Sequence, residues 1–343
     1  MVFGLLLAEL SARAFLAMPQ VNGRLKDDES GVWRRRWVGI QRGRQAAHPM
    51  IATDRYDEEL GWHPLPHLDQ VVKGAQLTTN GQGFRALADF SPRSPAGVRR
   101  VVALGDSFTF GEDVADEEAW PRILERQLPD TEVLNLGVHG YGHDQMLLLL
   151  RRQGIALRPD TVLLGFVGLD LSRNRLDFRD AAKPRFGLRD GRLVLEGNRV
   201  PTRERVLALE PWRPALGDLL SLAAFRRRQA TGDERRQSEV LGQALLNAIA
   251  TEAAAAGARP AFLYLPTGAD VGVLDRQGED ERFFFAACRS IRTTQPSLTC
   301  DSARSSFAAA AARGENFTTG RHWGSAGHQA AADAAADLLR RLP

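Results

Sequence analysis

A serine placed directly after a short apolar run is the first residue of this sequence that could do chemistry. Gly105-Asp106-Ser107-Phe108 follows the run 101–104, and such a run is typical of a strand buried on both faces. A serine on the loop that leaves this strand has its hydroxyl at the sheet's carboxyl edge and its own N–H near a helix start. That position suits a nucleophile that also helps to stabilise an oxyanion. A Gly-Asp-Ser sequence also occurs as a helix cap or turn, so this motif alone does not decide between a catalytic serine and a structural one.

Three further loops carry polar or glycine residues at the ends of predicted elements. Asn135-Leu136-Gly137 ends one strand, Gly165–Asp170 ends another, and His322–His328 precedes the last helix. The carboxyl ends of parallel strands meet at one edge of a sheet, so we expect these loops to gather beside Ser107. A serine and a histidine brought together there can act as nucleophile and base, and the Gly137 N–H could point at the same oxyanion.

The elements that must position these loops alternate between strand and helix. This alternation predicts an α/β fold, a three-layer α/β/α sandwich with a mostly parallel, about five-stranded sheet. The predicted strands are 101–104, 132–136, 161–166, 260–265 and 298–300. The predicted helices are 116–128, 144–156, 238–256, 281–292 and 325–341.

The domain organisation follows from where this alternation starts and where it is interrupted. Residues 1–18 read as an apolar helix, 19–97 as an irregular extension with short strands, and 98–343 as the α/β domain. The arginine-rich stretch at about 171–235 interrupts the alternation and has hairpin signals at Asp190-Gly191 and Gly197-Asn198. An insertion after a strand's carboxyl end lies where open α/β sheets bind ligands, so we interpret it as a cap and a specificity element.

The N-terminal segment allows two interpretations. Residues 2–18 are mostly apolar but contain Glu9 and Arg13, and they are too short and too charged for a comfortable membrane span. They form either a docking helix in which Glu9 and Arg13 pair at i,i+4, or the end of a signal anchor. The basic run 33–44 would suit a nearby membrane surface, although a solvated loop is the commoner explanation of such a run.

Composition excludes several classes of protein. The chain has 343 residues, 43% hydrophobic and 25% charged, which is globular composition. Its net charge of +3 comes from 45 basic residues interspersed with 42 acidic ones, and the absence of a wide basic cluster argues against a nucleic-acid partner. No His, Asp and Glu residues show metal-ligand spacing, so we expect no metal and no cofactor. Cys288 and Cys300 could form a disulfide or remain two buried thiols.

The sequence resembles the SGNH/GDSL hydrolase family over roughly residues 98–341. The matching motifs are GDSFTFG at 105–111, NLGVHGYG at 135–142, GFVGLD at 165–170 and HWGSAGH at 322–328. Upstream, 55–62 and 79–85 look like the extension of a bacterial branch that often carries an N-terminal membrane segment. The resemblance implies a flavodoxin-like sheet. It also implies a membrane-tethered domain in the periplasm or another extracytoplasmic compartment; if the chain is not tethered, the resemblance allows a cytoplasmic location.

Carried over residue by residue, the resemblance assigns roles to three residues. It implies that Ser107 is the nucleophile and first oxyanion donor, Gly137 the second donor and His322 the general base. The other candidate residues of the pocket are Asp106, His139, Asp170 and Asn174, whereas His328 reads as structural.

Two departures from the family pattern bear on activity. Leu169 stands where the family usually has an asparagine oxyanion donor, and loss of one such donor costs about 100- to 1000-fold in rate. Asn174 or His139 could compensate. The family also places an aspartate two or three residues before the histidine, where this chain has Thr319 and Gly320. Glu315 is the nearest upstream carboxylate, so we expect a Ser-His dyad or a weakened site.

Three functions remain open at this point. The first is a serine esterase or deacylase that acts on a small acyl ester, such as acetyl on a glycan. The second is O-acyl transfer to a polysaccharide through the same acyl-enzyme, and the third is a non-catalytic SGNH-like binding module. The expected partner is the ester substrate, with membrane association through the N-terminus.

Overall fold

The computed structural model describes residues 2–22, 24–25, 28–43, 48–197, 199–268, 270–317 and 321–342. In chain order its strands are β1 (Asp54–Asp57), β2 (Gly61–Pro64), β3 (Asp69–Val72), β4 (Ala75–Thr78), β5 (Arg99–Gly105), β6 (Thr131–Gly137), β7 (Thr161–Phe166), β8 (Arg185–Arg189), β9 (Arg192–Glu196), β10 (Arg259–Tyr264) and β11 (Thr299–Ser302).

The helices fill the intervals between these strands and open and close the chain. They are α1 (Val2–Ala17), α2 (Pro19–Asn22), α3 (Ser30–Gln41), α4 (Ser107–Phe110), α5 (Trp120–Gln127), α6 (His143–Leu149), α7 (Asp170–Arg173), α8 (Arg203–Leu209), α9 (Ala215–Ala230), α10 (Asp233–Ala255), α11 (Glu279–Arg292), α12 (Arg304–Ala312) and α13 (Ser325–Arg340). A π-helical turn at Leu150–Gly154 extends α6.

The central sheet has five parallel strands in the order β6-β5-β7-β10-β11. This is the order of a flavodoxin-like sheet, so the predicted fold class is confirmed. The five strands overlap the predicted ones; β7 matches its predicted bounds, and the ends of the other four differ from the predicted ends by one or two residues. In β5 and β6, Gly105 lies opposite Gly137, which brings the ends of the two strands together at the sheet's carboxyl edge.

Alternating side chains of the strands enter two separate cores, one on each face of the sheet. From β5, Val101 and Ala103 pack with α5, α12 and α13, whereas Val102 and Leu104 pack with α6, α10 and α11. Period-two alternation with both faces covered explains why the strands read as continuous apolar runs.

The extension and the insertion both contain hairpins. In the extension β1 pairs with β2 and β3 with β4, both antiparallel, which fits the predicted short strands. In the insertion β8 and β9 form a third hairpin. Its turn is Asp190-Gly191, with left-handed φ angles of 51° and 74°, as a two-residue type I′ turn requires. Asn198, in the other predicted turn, lies outside the described residues.

The basic run is helical, so the interpretation as a solvated loop is wrong. The segment from Ser30 to Gln41 forms α3, and Arg34 is buried against Glu210 and Asp218 of the insertion. These acidic partners lie some 180 residues further along the chain and neutralise the arginine where it packs. Arg44 lies outside the described residues.

The first helix docks on the insertion through one face. Ala12 and Leu16 pack against α9, and Glu9 pairs with Arg13 at 2.7 Å, as the docking interpretation predicts. The Glu9 carboxylate also accepts the N–H groups of Ala215 and Leu216, which caps the start of α9. Several apolar residues of α1 are exposed: Val2, Phe3, Leu5, Leu6, Leu7 and Leu10. Within the described residues we find no helix whose length and apolar character would let it cross a membrane.

A disulfide joins Cys288 of α11 to Cys300 of β11. It closes a loop of 12 residues and ties an edge strand of the sheet to the helix that covers it. Of the two states that the sequence left open for these cysteines, the structure contains the bonded one.

Candidate active site

The nucleophile candidate sits at the sharp turn from β5 into α4. The Asp106 carboxylate caps α4 by accepting the Phe108 N–H at 2.9 Å, and Ser107 is the first residue of that helix. A Cβ on Gly105 would lie 2.0 Å from the Thr109 hydroxyl, so only glycine fits before the capping residue. The sequence therefore folds into a turn that holds the serine hydroxyl at the sheet's carboxyl edge.

The histidine predicted to act as base lies against this serine. His322 Nε2 is 2.9 Å from Ser107 Oγ, although the two residues are 215 positions apart. His322 precedes α13, and its ring packs edge-on against Phe108 at 5.0 Å between ring centroids. The neighbouring Trp323 donates its indole N–H to the Pro266 carbonyl, which anchors the segment to the loop after β10. The structure thus brings the two predicted residues into hydrogen-bonding contact.

A third residue, which the sequence did not indicate, orients the imidazole. Asp113 Oδ2 lies 3.0 Å from His322 Nδ1, so the expectation of a dyad without a carboxylate is wrong. The aspartate comes from the loop after α4, six residues beyond the nucleophile, and the hydrogen bond to His322 holds the pKa of Asp113 well below its ordinary value. Glu315, the upstream candidate, instead pairs with Arg313 at 2.8 Å. Thr319 and Gly320 lie outside the described residues.

The chain reversal that delivers Asp113 depends on a glycine. Gly111 ends α4 with a φ of 88°, and a Cβ there would lie 2.6 Å from the Ala119 side chain. Asp113 itself has a φ of 73°, a left-handed conformation that aspartate tolerates better than most residues. A motif search that looks for an aspartate at a fixed spacing before the histidine misses Asp113, because Asp113 lies in the segment after Ser107.

Gly137, predicted as the second oxyanion donor, has its N–H bound within its own strand. The Gly137 N–H already donates to the Asn135 side chain at 2.9 Å. A Cβ on Gly137 would lie 2.4 Å from the Phe110 nitrogen, so this glycine permits close packing of β6 under α4. The assignment of Gly137 as donor is therefore wrong, and the glycine has a packing role.

The two residues expected to compensate for Leu169 are engaged elsewhere. Asn174 accepts the His143 N–H at 2.8 Å and faces His143 Nδ1 at 3.1 Å, which fixes the start of α6. His139 Nε2 is 2.9 Å from Asp54 of the extension. Burial alone would lower the pKa of His139, but the Asp54 carboxylate raises it above its ordinary value. The Leu169 side chain is apolar and 42% exposed, so it supplies no hydrogen-bond donor at that position.

His328 has the structural role that the sequence predicted. Its Nδ1 accepts the Trp120 N–H at 3.2 Å at the start of α5, and its ring packs edge-on against Trp323. Complete burial lowers the pKa of His328 to about 3, which keeps the ring neutral.

Beneath the serine, a buried arginine joins two of the predicted pocket residues. Arg173 Nη1 lies 2.7 Å from Asp106 and 2.5 Å from Asp170, and both carboxylates are fully buried. Burial, and the neighbouring Asp106 charge, raise the pKa of Asp170 well above its ordinary value. Asp106 and Asp170 are therefore held together by one arginine below the site, and Asp106 in turn supports the turn that carries Ser107.

Removal of this arginine should destabilise the fold strongly. We expect Arg173→Met to lower the free energy of unfolding by about 3–5 kcal/mol, because two buried carboxylates lose their cation. Urea unfolding measures the change. Arg151→Met is the matched control, because Arg151 pairs with Glu252 at an exposed site and its loss should cost less than about 1 kcal/mol. If both variants lose the same stability, Arg173 does not hold the network together.

One described group of side chains has the composition of a metal site. Donor atoms of Glu112, Asp113 and His322 lie within 4.8 Å of one another. These atoms already have partners, because Lys73 pairs with both carboxylates and Ser107 faces the imidazole. We therefore interpret the group as a hydrogen-bond network.

The first residues of the insertion lie beside the site. Arg173 supports the serine turn, and a Cβ on Gly140 would lie 2.6 Å from Arg179, so this part of the insertion packs on the loop after β6. A cavity of about 890 Å³ lies along the insertion. Its lining includes Phe178, Val206 and Trp212 but none of Ser107, Asp113 and His322.

Comparisons with known proteins give matches among solved structures. No family model matches the chain, and no curated protein matches it. The crystal structure of TesA is 13% identical and covers 71% of this chain and 100% of its own, with a TM-score of 0.44. A lipolytic protein of the G-D-S-L family from Veillonella parvula DSM 2008 is 13% identical and covers 71% of this chain and 100% of its own, with a TM-score of 0.40. The acetyl xylan esterase AlAXEase is 13% identical and covers 69% of this chain and 98% of its own, with a TM-score of 0.42.

Proposed function

We propose that this chain is a serine ester hydrolase of the SGNH/GDSL type. The observation that carries the proposal is the continuous hydrogen-bonded path from Ser107 Oγ through His322 to Asp113, with distances of 2.9 and 3.0 Å. A hydroxyl, an imidazole and a carboxylate in this order form the nucleophile, base and orienting acid of covalent acyl transfer. The non-catalytic alternative gives no reason for a histidine 215 residues away to meet Ser107 and Asp113 in this order.

In the proposed reaction the serine attacks the ester carbonyl and His322 takes the serine proton. The new bond joins Ser107 Oγ to the carbonyl carbon, and the carbonyl oxygen becomes an oxyanion. Ser107 is the first residue of α4, where N–H groups have no partner within the helix, and its N–H is the proposed donor to that oxyanion. The imidazolium then protonates the departing alcohol as the carbon–oxygen bond breaks. Water attacks the acyl-enzyme with the same histidine as base, which releases the acid and restores the serine.

Burial of the site favours a small acyl group. Ser107 is 3% exposed and His322 is 7% exposed, so a bulky acyl chain has little room next to the nucleophile. We therefore propose acetyl or a similarly short acyl group, carried on an alcohol that lies outside the buried part of the site. An acetylated glycan is one such substrate class.

The experiment is a substrate panel with product analysis. Purified protein is given p-nitrophenyl esters from acetyl to octanoyl and an acetylated xylan, and free acid and acylated acceptor are quantified separately, with Ser107→Ala as the blank. The proposal predicts serine-dependent release of free acid that falls as the acyl chain lengthens. Acyl groups that appear mainly on an added glycan would instead support O-acyl transfer. Wild-type rates equal to the blank on every ester would exclude both reactions.

We also propose that the catalytic domain lies outside the cytoplasm and associates with a membrane. The disulfide between Cys288 and Cys300 supports an oxidising compartment. The exposed apolar face of α1 supports contact with a lipid surface. Cell fractionation tests both parts: the protein should be extracytoplasmic and should leave the membrane fraction when Leu6 and Leu10 are changed to glutamate. Recovery of the wild-type protein in the cytosol with free thiols would oppose the proposal.

A further inference from the structure

The N-terminal extension brings a lysine to the acidic member of the triad. Lys73 stands at the turn of the β3–β4 hairpin with a φ of 53°, followed by Gly74 with a φ of 88°. Its Nζ lies 2.8 Å from Asp113 Oδ1 and 2.9 Å from Glu112 Oε1. The other oxygen of Asp113 bonds His322. One ammonium group from the extension therefore binds both carboxylates that lie next to the proposed base.

The extension also clamps the loop that carries these carboxylates. The buried guanidinium of Arg85 donates to the carbonyl of Phe110 at 3.2 Å, to that of Val114 at 2.6 Å and to that of Gly111. The same guanidinium binds Asp116 at 2.8 Å and the Gln76 carbonyl of β4 at 3.0 Å. The loop from α4 to Asp116 is thus fixed to the hairpin that presents Lys73, and the ammonium is held in register with Asp113.

The charges around His322 show why this lysine matters. Glu112 Oε2 lies 3.8 Å from His322 Nε2, on the Ser107 side of the ring, and the Glu112 side chain is 5% exposed. Asp113 lies on the opposite side of the ring, against Nδ1. Two carboxylates facing one imidazole favour its protonated form, and a protonated imidazole cannot accept the serine proton. A cation that binds both carboxylates offsets this effect.

We propose that Lys73 is a positioning residue for the triad, one that holds Asp113 in place and keeps His322 available as a base by neutralising the Glu112–Asp113 pair. The inference rests on the proposed function for its catalytic consequence. It also assigns a role to the extension: through Lys73 and Arg85 the extension completes the site of the α/β domain.

Other ionisable groups also lie around the imidazole and its two carboxylates. Although burial acts in the opposite direction, hydrogen bonds to Asp113 and Glu112 raise the pKa of Lys73, so the ammonium stays charged across the working range. His328 on α13 is close enough to interact electrostatically with His322, but burial keeps it neutral. Arg85 is bound to Asp116 and the carbonyls of the loop. His48 contacts Glu112 at 3.5 Å, and burial lowers the pKa of His48. In the described part of the chain, Lys73 is the cation that binds both carboxylates.

The test compares four proteins: wild type, Lys73→Met, Lys73→Arg and Gln70→Met. Gln70 is an exposed residue of β3, so Gln70→Met controls for a methionine in the same hairpin. The pH dependence of kcat and KM is measured with p-nitrophenyl acetate. We expect the acid limb of kcat in Lys73→Met to move up by about one to two pH units, a loss of about 10- to 100-fold below that limb, with KM changed less than about twofold. Lys73→Arg should restore most of the rate, and Gln70→Met should behave as wild type.

A second measurement separates this inference from the proposed function. The ring protons of His322 are followed by NMR as the pH is varied, with His322→Gln used to assign the signal. The imidazole should titrate at a higher pH in Lys73→Met than in wild type or Lys73→Arg. An unchanged titration in folded Lys73→Met, or in Lys73→Gln if the methionine variant does not fold, overturns the inference even if the protein is an esterase. Absence of serine-dependent hydrolysis in wild type defeats the proposed function, while the NMR result still decides the role of Lys73.

Discussion

Replacing Ser107 with alanine is expected to lower kcat/KM for p-nitrophenyl acetate by about 10⁴-fold or more, since the variant has no nucleophile to form the acyl-enzyme. The change removes one oxygen from a buried site and leaves the Asp106 cap of α4 in place. The measurement is steady-state hydrolysis by purified protein with the melting temperature checked. Ser305→Ala is the control because Ser305 is exposed on α12. Equal activity in Ser107→Ala and wild type would assign the turnover to a different site or to a contaminant.

Replacing Asp113 with asparagine is expected to lower kcat by about 10³- to 10⁴-fold, with little change in KM. The amide cannot stabilise the imidazolium and can hold the ring in the wrong tautomer. Because the pKa of Asp113 lies below its ordinary value, the wild-type carboxylate stays ionised across any assay near neutral pH. The asparagine variant should therefore be defective throughout that range.

The control for this variant matches its backbone as well as its chemistry. Asp190 also has a left-handed φ, 51° against 73° for Asp113, and it lies in the β8–β9 turn away from the triad. Asp190→Asn tests whether asparagine at such a position disturbs the fold, and it should keep wild-type activity. A folded Asp113→Asn protein with full activity would show that the site works as a Ser-His dyad without this carboxylate.

The sheet and the meeting of Ser107 with His322 could be predicted from the sequence because both follow from local patterns. Apolar runs that are buried on both faces mark the strands, and the parallel order brings their carboxyl ends to one edge. The serine and the histidine each stand directly beside such an element. Their contact then depends on topology alone, and the topology was predicted correctly.

The remaining parts of the site depend on contacts that no local pattern encodes. Asp113 reaches His322 because the chain reverses at Gly111 and because Lys73 and Arg85 of the extension hold the loop. The Gly137 N–H is unavailable because the Asn135 side chain folds back onto it. In each case the deciding partner is a side chain whose direction only the folded structure shows.

The basic run shows the same limit away from the site. Arg34 packs against Glu210 and Asp218, and Arg35 pairs with Asp218; both acids are remote in sequence. A run of like charges without visible partners reads as solvated, since the sequence does not show which acids will lie opposite. The helix α3 was missed for that reason, although Glu29 caps its start.

Covalent labelling of the serine tests the central claim most directly. Purified protein is treated with a fluorophosphonate probe, digested and analysed by mass spectrometry to assign the modified residue. The proposed mechanism predicts one probe adduct, on Ser107, that is absent from Ser107→Ala and forms more slowly in His322→Gln, because the probe reacts with a serine whose proton the imidazole removes. No adduct on folded wild-type protein, or an adduct on a different serine with Ser107 unmodified, would contradict a serine hydrolase at this site.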